Sequence, residues 1–152
     1  MALSGPSKFD LLPIGGVVHT HSSRATAFTQ AGRPTPNFGA AHPDDFKDEA
    51  PVTRKMTAPE IALACEWETR TVIVERLNGI GPVDCPAALV NRHTSFTWGP
   101  NVARPLETAA ALECATHMAP MSLALAPDLK PIETELRDIH VKRKHDPNAD
   151  YD

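Results

Sequence analysis

Strand-like and helix-like segments alternate along this chain. Residues 17–21 begin with two valines, residues 71–74 are β-branched throughout, and residues 87–90 are alanine, leucine and valine. Short runs of this kind between turn residues are typical of buried strands. The alternation with helix signals predicts an α/β layered domain, and a chain of 152 residues is long enough to bury a single core.

Each predicted helix has its own signal. Ser22 is a suitable N-cap, and Thr57 and Glu60 have the spacing of a capping box. Pro105 suits the first turn of a third helix, which Pro120 would stop. The last helix carries an apolar stripe at helical spacing, formed by Ile132, Leu136 and Ile139. The predicted helices cover residues 24–30, 57–67, 105–119 and 130–144.

Composition limits the functions open to the chain. Nucleic acid binds preferentially to a basic protein surface. The formal net charge of −4 therefore gives no electrostatic reason to expect a nucleic-acid partner. No apolar run approaches the roughly 20 residues needed to cross a bilayer, and no secretory signal is recognisable at the N-terminus. The scattered Cys65, Cys85 and Cys114 argue against a disulfide framework. We therefore expect a soluble cytoplasmic protein with no nucleic-acid or membrane partner.

Two histidines follow the first pair of valines. Side chains alternate along a strand, so His19 and His21 would point to one side and Thr20 to the other. Two neighbouring imidazoles can share one metal ion. The short pattern alone nevertheless favours a plainer alternative, in which one ring packs in a polar cluster and the other is solvated.

A third histidine, His93, also follows a short apolar run, and strand ends are where open α/β layers place their sites. Three neutral imidazoles with a coordination position left open form a catalytic zinc site. The spacing of His93 is equally compatible with a residue that caps a loop. His117, on an alanine-rich segment, is expected at the surface or in packing, and His145, in a basic run, at a solvated helix end.

Acidic and phenolic side chains are further candidates. Asp44 and Asp45 follow Pro43 in a predicted loop, where paired acids are usually solvated, although a carboxylate near a metal can act as a general acid or base. Tyr151 lies near the C-terminus, where chains usually fray. A docked phenol could instead donate a proton to an alkoxide.

Several of these residues lie in segments that resemble the L-ribulose-5-phosphate 4-epimerases of the class II aldolase/epimerase family. The most specific are His-Thr-His-Ser at residues 19–22 and Thr-Arg-Lys-Met-Thr at residues 53–57. Other similar segments are residues 30–32, 42–44, 66–69, 89–93, 96–99 and 143–145. The resemblance implies that residues 13–152 are the C-terminal portion of such a domain, after a non-matching lead-in at residues 1–12.

The resemblance also implies a fold, a cofactor and an assembly. The fold would be a three-layer α/β/α sandwich around a mainly antiparallel sheet, in cyclic tetramers whose sites lie between subunits. A zinc ion would be bound by His19, His21 and His93, although three imidazoles also accept other divalent metals. Asp44 and Tyr151, which would reach a neighbouring subunit's site, would move the protons on the C4 oxygen of the substrate.

The implied reaction converts L-ribulose 5-phosphate to D-xylulose 5-phosphate, in pentose and arabinose metabolism. The C3–C4 bond breaks in a retro-aldol step, in which zinc stabilises the enediolate. The aldehyde fragment then rotates, and its re-addition gives the C4 epimer. His140 falls where the family keeps a histidine near this site, and it is therefore a candidate substrate-binding residue.

The chain departs from the family pattern at several places. Family members carry phosphate-binding loops and an acidic residue near the metal in an N-terminal half, whereas the similarity here begins near Pro13. Thr94 replaces a glycine after the third histidine, and Ala40 and Ala41 replace two threonines. Tyr151 lies between two aspartates.

Two alternatives to the epimerase therefore stay open. One is a sugar-phosphate aldolase of the same family, which shares the metal histidines but releases the aldehyde. The other is a non-catalytic metal-binding fragment or subunit that assembles with full-length relatives. This last alternative predicts exposed apolar side chains at Val17, Val18 and Leu89, because a core cut in half leaves its inner faces bare.

Overall fold

The computed structural model of the chain describes residues 14–40, 42 and 46–145, the last two of them by backbone alone. This part of the chain forms three strands and four helices. In chain order they are β1 (Gly16–Thr20), α1 (Ser23–Ala31), α2 (Ala58–Leu77), β2 (Ala87–Leu89), β3 (Ser95–Gly99), α3 (Ala103–Leu125) and α4 (Thr134–His145).

The strands form an antiparallel sheet in the order β1–β3–β2. His19 of β1 pairs with Phe96 of the central strand β3, and Ala88 of β2 pairs with the same phenylalanine from the other side. β3 lies outside the predicted strands. Its alternation of polar residues with Phe96 and Trp98 covers only five residues, close to the shortest run in which a period of two can be distinguished.

Two glycines determine how β1 lies against β3. Gly16 pairs with Gly99, and the N–H of Gly15 donates to the carbonyl oxygen of Gly99 at 2.9 Å. A Cβ atom at Gly16 would lie 2.7 Å from the carbonyl oxygen of Asn101, and one at Gly15 would overlap the backbone of Pro100. The start of β1 can approach the following turn this closely only because neither residue has a side chain.

Helices cover both faces of the sheet. On one face, α1 and α3 pack through Ala25 and Leu112 against Leu89 of β2. On the other face, α2 packs through Leu77 against Trp98 of β3. Alternating residues of the short strands thus pack into two separate hydrophobic cores, one on each face of the sheet. The predicted three-layer α/β/α arrangement around an antiparallel sheet is confirmed.

The strand predicted over residues 71–74 is wrong, because these residues belong to α2. The helix begins at the predicted capping box, where the N–H of Thr57 donates to the Glu60 carboxylate at 2.6 Å. It is kinked at Ala64, whose backbone is not helical (φ −163°, ψ 59°), and continues beyond the predicted end to Leu77. Its buried residues are Thr69, Val72 and Leu77. They recur at helical spacing, so Val72 of the β-branched run lies on the inner face of a helix, where burial outweighs strand propensity.

The other two long helices also differ from prediction. Pro120, expected to end α3, lies inside it, and the helix continues to Leu125 despite the backbone hydrogen bond that a proline removes. α4 begins later than predicted, at Thr134, and its stripe is only half buried, since Leu136 and Ile139 are 43% and 48% exposed. None of the described helices is both long and apolar enough to cross a membrane.

Candidate functional site

Three of the predicted histidines converge at one end of the sheet. His19 lies near the end of β1, His21 lies one residue beyond it, and His93 lies in the turn between β2 and β3. The ring centroids are 5.0 Å apart for His19 and His21, and 5.4 Å apart for each of these with His93. One potential ligand atom from each ring lies within 4.8 Å of the other two. We call these three residues the histidine triad.

The turn that carries His93 is held by α1. Arg92, in this turn, has a left-handed backbone conformation with φ 58°. Its N–H donates to the carbonyl oxygen of Thr29 at 2.8 Å, while the N–H of His93 donates to Val90 at 2.9 Å. The hydroxyl of Thr29 shares its proton between the carbonyl oxygen of Thr26, at 2.8 Å, and that of His93, at 3.3 Å. A single buried threonine of α1 therefore contacts the backbone on both sides of the Arg92–His93 peptide.

The segment around His21 is held by β3 and α3. The hydroxyls of Thr94 and Ser95 both donate to the carbonyl oxygen of Thr20, immediately before His21. Immediately after it, Ser22 is the N-cap residue of α1, but its side chain makes no capping hydrogen bond. Ser22 is therefore the N-cap residue as predicted, but its side chain does not supply the capping hydrogen bond.

Glu113 of α3 caps α1 instead. Its carboxylate accepts hydrogen bonds from the backbone N–H groups of Arg24, at 3.3 Å, and Ala25, at 3.2 Å. Burial alone would raise the pKa of Glu113, but the hydrogen bonds from the Ser22 side chain and from these backbone groups lower it below its ordinary value. The charged carboxylate thus satisfies N–H groups that a helix cannot satisfy itself.

The electrostatics of the site favour a neutral His93 ring. Burial lowers the pKa of His93 below its ordinary value, and the neighbouring His19 and His21 lower it further because their positive charges would repel a charged His93. The Nδ1 atom of His93 is buried without a hydrogen-bond partner among the described residues. Neutral imidazole is the form that binds metals, so this donor set fits a divalent ion such as zinc.

Two triad members face a cleft between α2 and the sheet. The cleft has a volume of about 710 Å³, and His19 and His93 belong to its wall. Its charged side chains, Glu66 and Arg70, come from α2. Most of the remaining wall is apolar and includes Val17, Ile73, Val74, Phe96 and Trp98. The cleft is large enough for a small substrate.

The contribution of α2 to this cleft was not predicted. Glu66, Thr69, Arg70 and Ile73 lie three and four residues apart, which is the spacing of one helix face. This signal is present in the sequence but has meaning only if residues 71–74 are helical. The helix predicted there ends at Trp67 and therefore includes only Glu66 of these four residues.

The remaining predicted site residues lie elsewhere. Asp44 and Tyr151 lie outside the described residues, and so does Asp45. His140 lies on α4, partly buried, and does not belong to the wall of the cleft. His117 is an exposed residue of α3, as expected.

The fold and the histidine triad together agree with one family of proteins. Residues 11–120 match the family described as Class II Aldolase and Adducin N-terminal domain. This match covers most of the chain. The chain therefore belongs to that family, and the resemblance inferred from the short motifs is confirmed.

Individual proteins of known name are also similar to this chain. L-ribulose-5-phosphate 4-epimerase UlaF of Salmonella paratyphi A (strain ATCC 9150 / SARB42) and that of Salmonella typhi are each 38% identical over 138 residues, or 91% of this chain. The chain spans only 60% of the length of these relatives. The solved structure of an L-fuculose 1-phosphate aldolase shares the fold, with a TM-score of 0.70 at 13% identity, covering 87% of this chain and 56% of that one.

Proposed function

We propose that the chain is a zinc-dependent sugar-phosphate 4-epimerase, which interconverts L-ribulose 5-phosphate and D-xylulose 5-phosphate. The observation that carries the proposal is the convergence of His19, His21 and His93, whose ligand atoms lie within 4.8 Å of one another. It occurs in a chain whose curated relatives are named L-ribulose-5-phosphate 4-epimerases. The adjoining cleft has the size of a small-molecule site.

The triad would hold the metal through one nitrogen of each ring and leave room for substrate oxygens. A zinc ion bound there supplies Lewis-acid stabilisation of negative charge on those oxygens. The lowered pKa of His93 supports this role, because burial and the neighbouring histidines favour the neutral ring, which is the form that binds a metal. Other divalent metals suit the same ligands.

We assign the proton transfers at the C4 oxygen to Asp44 and Tyr151. One of them removes the proton of the C4 hydroxyl while the C3–C4 bond breaks. The other returns a proton to the C4 oxygen after the aldehyde fragment has turned and the bond has formed again. His140, which lies outside the wall of this chain's own cleft, would contact the substrate near this oxygen in the same site as Asp44 and Tyr151. In this assignment Asp44 and Tyr151 serve the site of a neighbouring subunit, so the active form would be a homotetramer.

The direct test supplies L-ribulose 5-phosphate to zinc-loaded protein and follows the formation of D-xylulose 5-phosphate. The wild-type protein and the control H117A, altered at an exposed histidine of α3, are expected to turn over. H93A is expected to be inactive because it lacks one ligand. Absence of product from a wild-type protein that holds zinc would refute the epimerase proposal.

A non-catalytic metal-binding subunit is the second candidate, and one observation favours it. Val17 on the cleft wall is 59% exposed, as expected where a further element covers the sheet. Leu89, however, is fully buried within the described chain, and Val18 is partly buried. Bound zinc without turnover, together with activity gained when a full-length relative is added, would support this candidate over the first.

A further inference from the structure

Arg70 belongs to the wall of the cleft, and its guanidinium has no carboxylate partner among the described residues. The arginines that form ion pairs with carboxylates are Arg24, Arg54, Arg76, Arg104 and Arg137. No carboxylate among the described residues pairs with Arg70. Glu66 lies one turn earlier and belongs to the same cleft wall, yet no ion pair joins the two side chains. The guanidinium is therefore available to a ligand.

The position of Arg70 is well defined even though its side chain is exposed. Thr69, its neighbour in α2, is buried, and the Thr69 hydroxyl donates to the carbonyl oxygen of Cys65 at 2.8 Å. The central carbon of the Arg70 guanidinium lies 5.2 Å from the centroid of the Trp67 ring. A cation over an aromatic face is held in place without losing its hydrogen-bonding capacity. The guanidinium thus packs on a neighbouring ring of the same helix and keeps its hydrogen-bond donors for a ligand.

The cleft therefore combines two kinds of polar group. His19 and His93 belong to the wall on the sheet side and Arg70 to the wall on the α2 side. A metal held by the imidazoles would bind hydroxyl and carbonyl oxygens of a ligand. A planar guanidinium instead donates two parallel hydrogen bonds to an anionic group with two oxygens in its plane. A ligand that satisfies both is a small polyol with one anionic group, and a sugar phosphate belongs to this class.

We propose that Arg70 is the anion subsite of the cleft and binds the phosphate of the sugar phosphate while its hydroxyl oxygens face the triad. This assignment relies on the proposed function for the identity of the ligand. It does not require that the protein converts the ligand to product. Glu66 is the opposing charge in the cleft, so the subsite favours the phosphate only while Arg70 is present.

The test measures equilibrium binding to zinc-loaded protein by calorimetry, with L-ribulose 5-phosphate and unphosphorylated L-ribulose as the two probes. R70A is expected to weaken binding of the phosphate ester roughly tenfold or more, which is the effect of one charge-assisted hydrogen-bond pair, and to leave binding of L-ribulose unchanged. R70K should recover part of the loss, because it keeps the charge but not the fork. R33A is the matched control, since Arg33 is exposed and lies outside the cleft wall.

The outcomes separate this subsite from the proposed function. Arg70-dependent binding of the phosphate ester without formation of D-xylulose 5-phosphate would refute the epimerase and support the subsite. Turnover by R70A with an unchanged KM would support the epimerase and refute the subsite. Equal losses in R70A and R33A, equal losses for the two probes, or no binding of the phosphate ester by the wild-type protein would each overturn the subsite.

Discussion

The hydroxyl of Thr29 lies 3.3 Å from the backbone carbonyl oxygen of His93, 64 residues further along the chain, and shares its one proton between this oxygen and the carbonyl oxygen of Thr26, at 2.8 Å. The carbonyl oxygen of the same threonine accepts from the N–H of Arg92. The short helix α1 therefore begins two residues after His21 and, two turns later, holds the turn that carries His93. The distance between two members of the triad depends on this helix.

We expect T29V to loosen this arrangement. Valine has the shape of threonine but lacks the hydroxyl, so the free energy of unfolding should fall by about 1 kcal/mol. Zinc affinity should fall roughly tenfold, as is usual when a group that orients a metal ligand is lost. T29S, which keeps the hydroxyl, is the control. Denaturant titration and competition with a zinc chelator measure the two effects, and equal zinc affinities of T29V and T29S would contradict the role of the hydroxyl.

Zinc should bind to the triad in a ratio of about one ion per chain. Metal analysis after dialysis is expected to find this ratio for the wild-type protein and for H117A, and essentially no zinc for H21A and H93A. Removal of zinc by a chelator should lower the melting temperature of the wild-type protein and of H117A but not of H21A or H93A, because a ligand that binds the folded state stabilises it. Unchanged metal content in H21A and H93A would show that the ion lies elsewhere.

Glu113 should make the stability of the fold depend on pH. Its folded pKa lies below the ordinary value of 4.5, so its stabilising effect is complete above that value and is lost as the pH falls through the folded pKa. E113A is expected to lose about 1 kcal/mol at neutral pH, as for other lost helix caps. The difference from wild type should shrink in acid.

Glu107 provides the control for this prediction. It lies on the same helix, is more exposed than Glu113 and pairs with Arg104 rather than with a helix terminus. E107A should therefore change the unfolding free energy by only a few tenths of a kcal/mol. Parallel pH profiles of E113A and the wild-type protein would show that the carboxylate does not stabilise α1 through its charge.

The left-handed conformation of Arg92 predicts an order of stability. At φ 58° a residue with a Cβ atom is strained, and a β-branched side chain more so. We expect R92V to unfold about 1–2 kcal/mol more easily than R92G. R92G should lie close to the wild-type protein, because relief of strain offsets the greater freedom of glycine in the unfolded chain. Thermal unfolding of the two variants tests the order, and the reverse order would contradict the strain.

Only part of the arrangement of the triad could be predicted from local sequence. The relative directions of His19 and His21 follow from strand geometry alone, which depends on nearest neighbours in the chain. The inclusion of His93 could not follow in this way, because its proximity depends on pairing of β1 with β3 across more than seventy residues. The family resemblance supplied that long-range information, and the structure agrees with it.

The errors have a common physical cause. A β-branched run can be a strand or the buried face of a helix, and tertiary contacts decide between them. The run at residues 71–74 packs as part of α2, so the cleft wall that includes Arg70 could not be recognised beforehand. The cap of α1 is similar, since Glu113 replaces the local Ser22 from a distant helix. Interactions between segments that are distant in the chain cannot be recognised from the local sequence of either segment.

Gly15 and Gly16 lie at the start of the segment that carries His19 to the cleft. A shift of β1 by one position along β3 would turn its side chains to the opposite faces of the sheet. Val18 and Thr20 would then take the places of His19 and its neighbours, and the ligands would be scattered. The observed alignment requires glycine at both positions, because a Cβ atom at either would clash with Pro100 or Asn101. The set of side chains on this surface thus depends on two residues that have none.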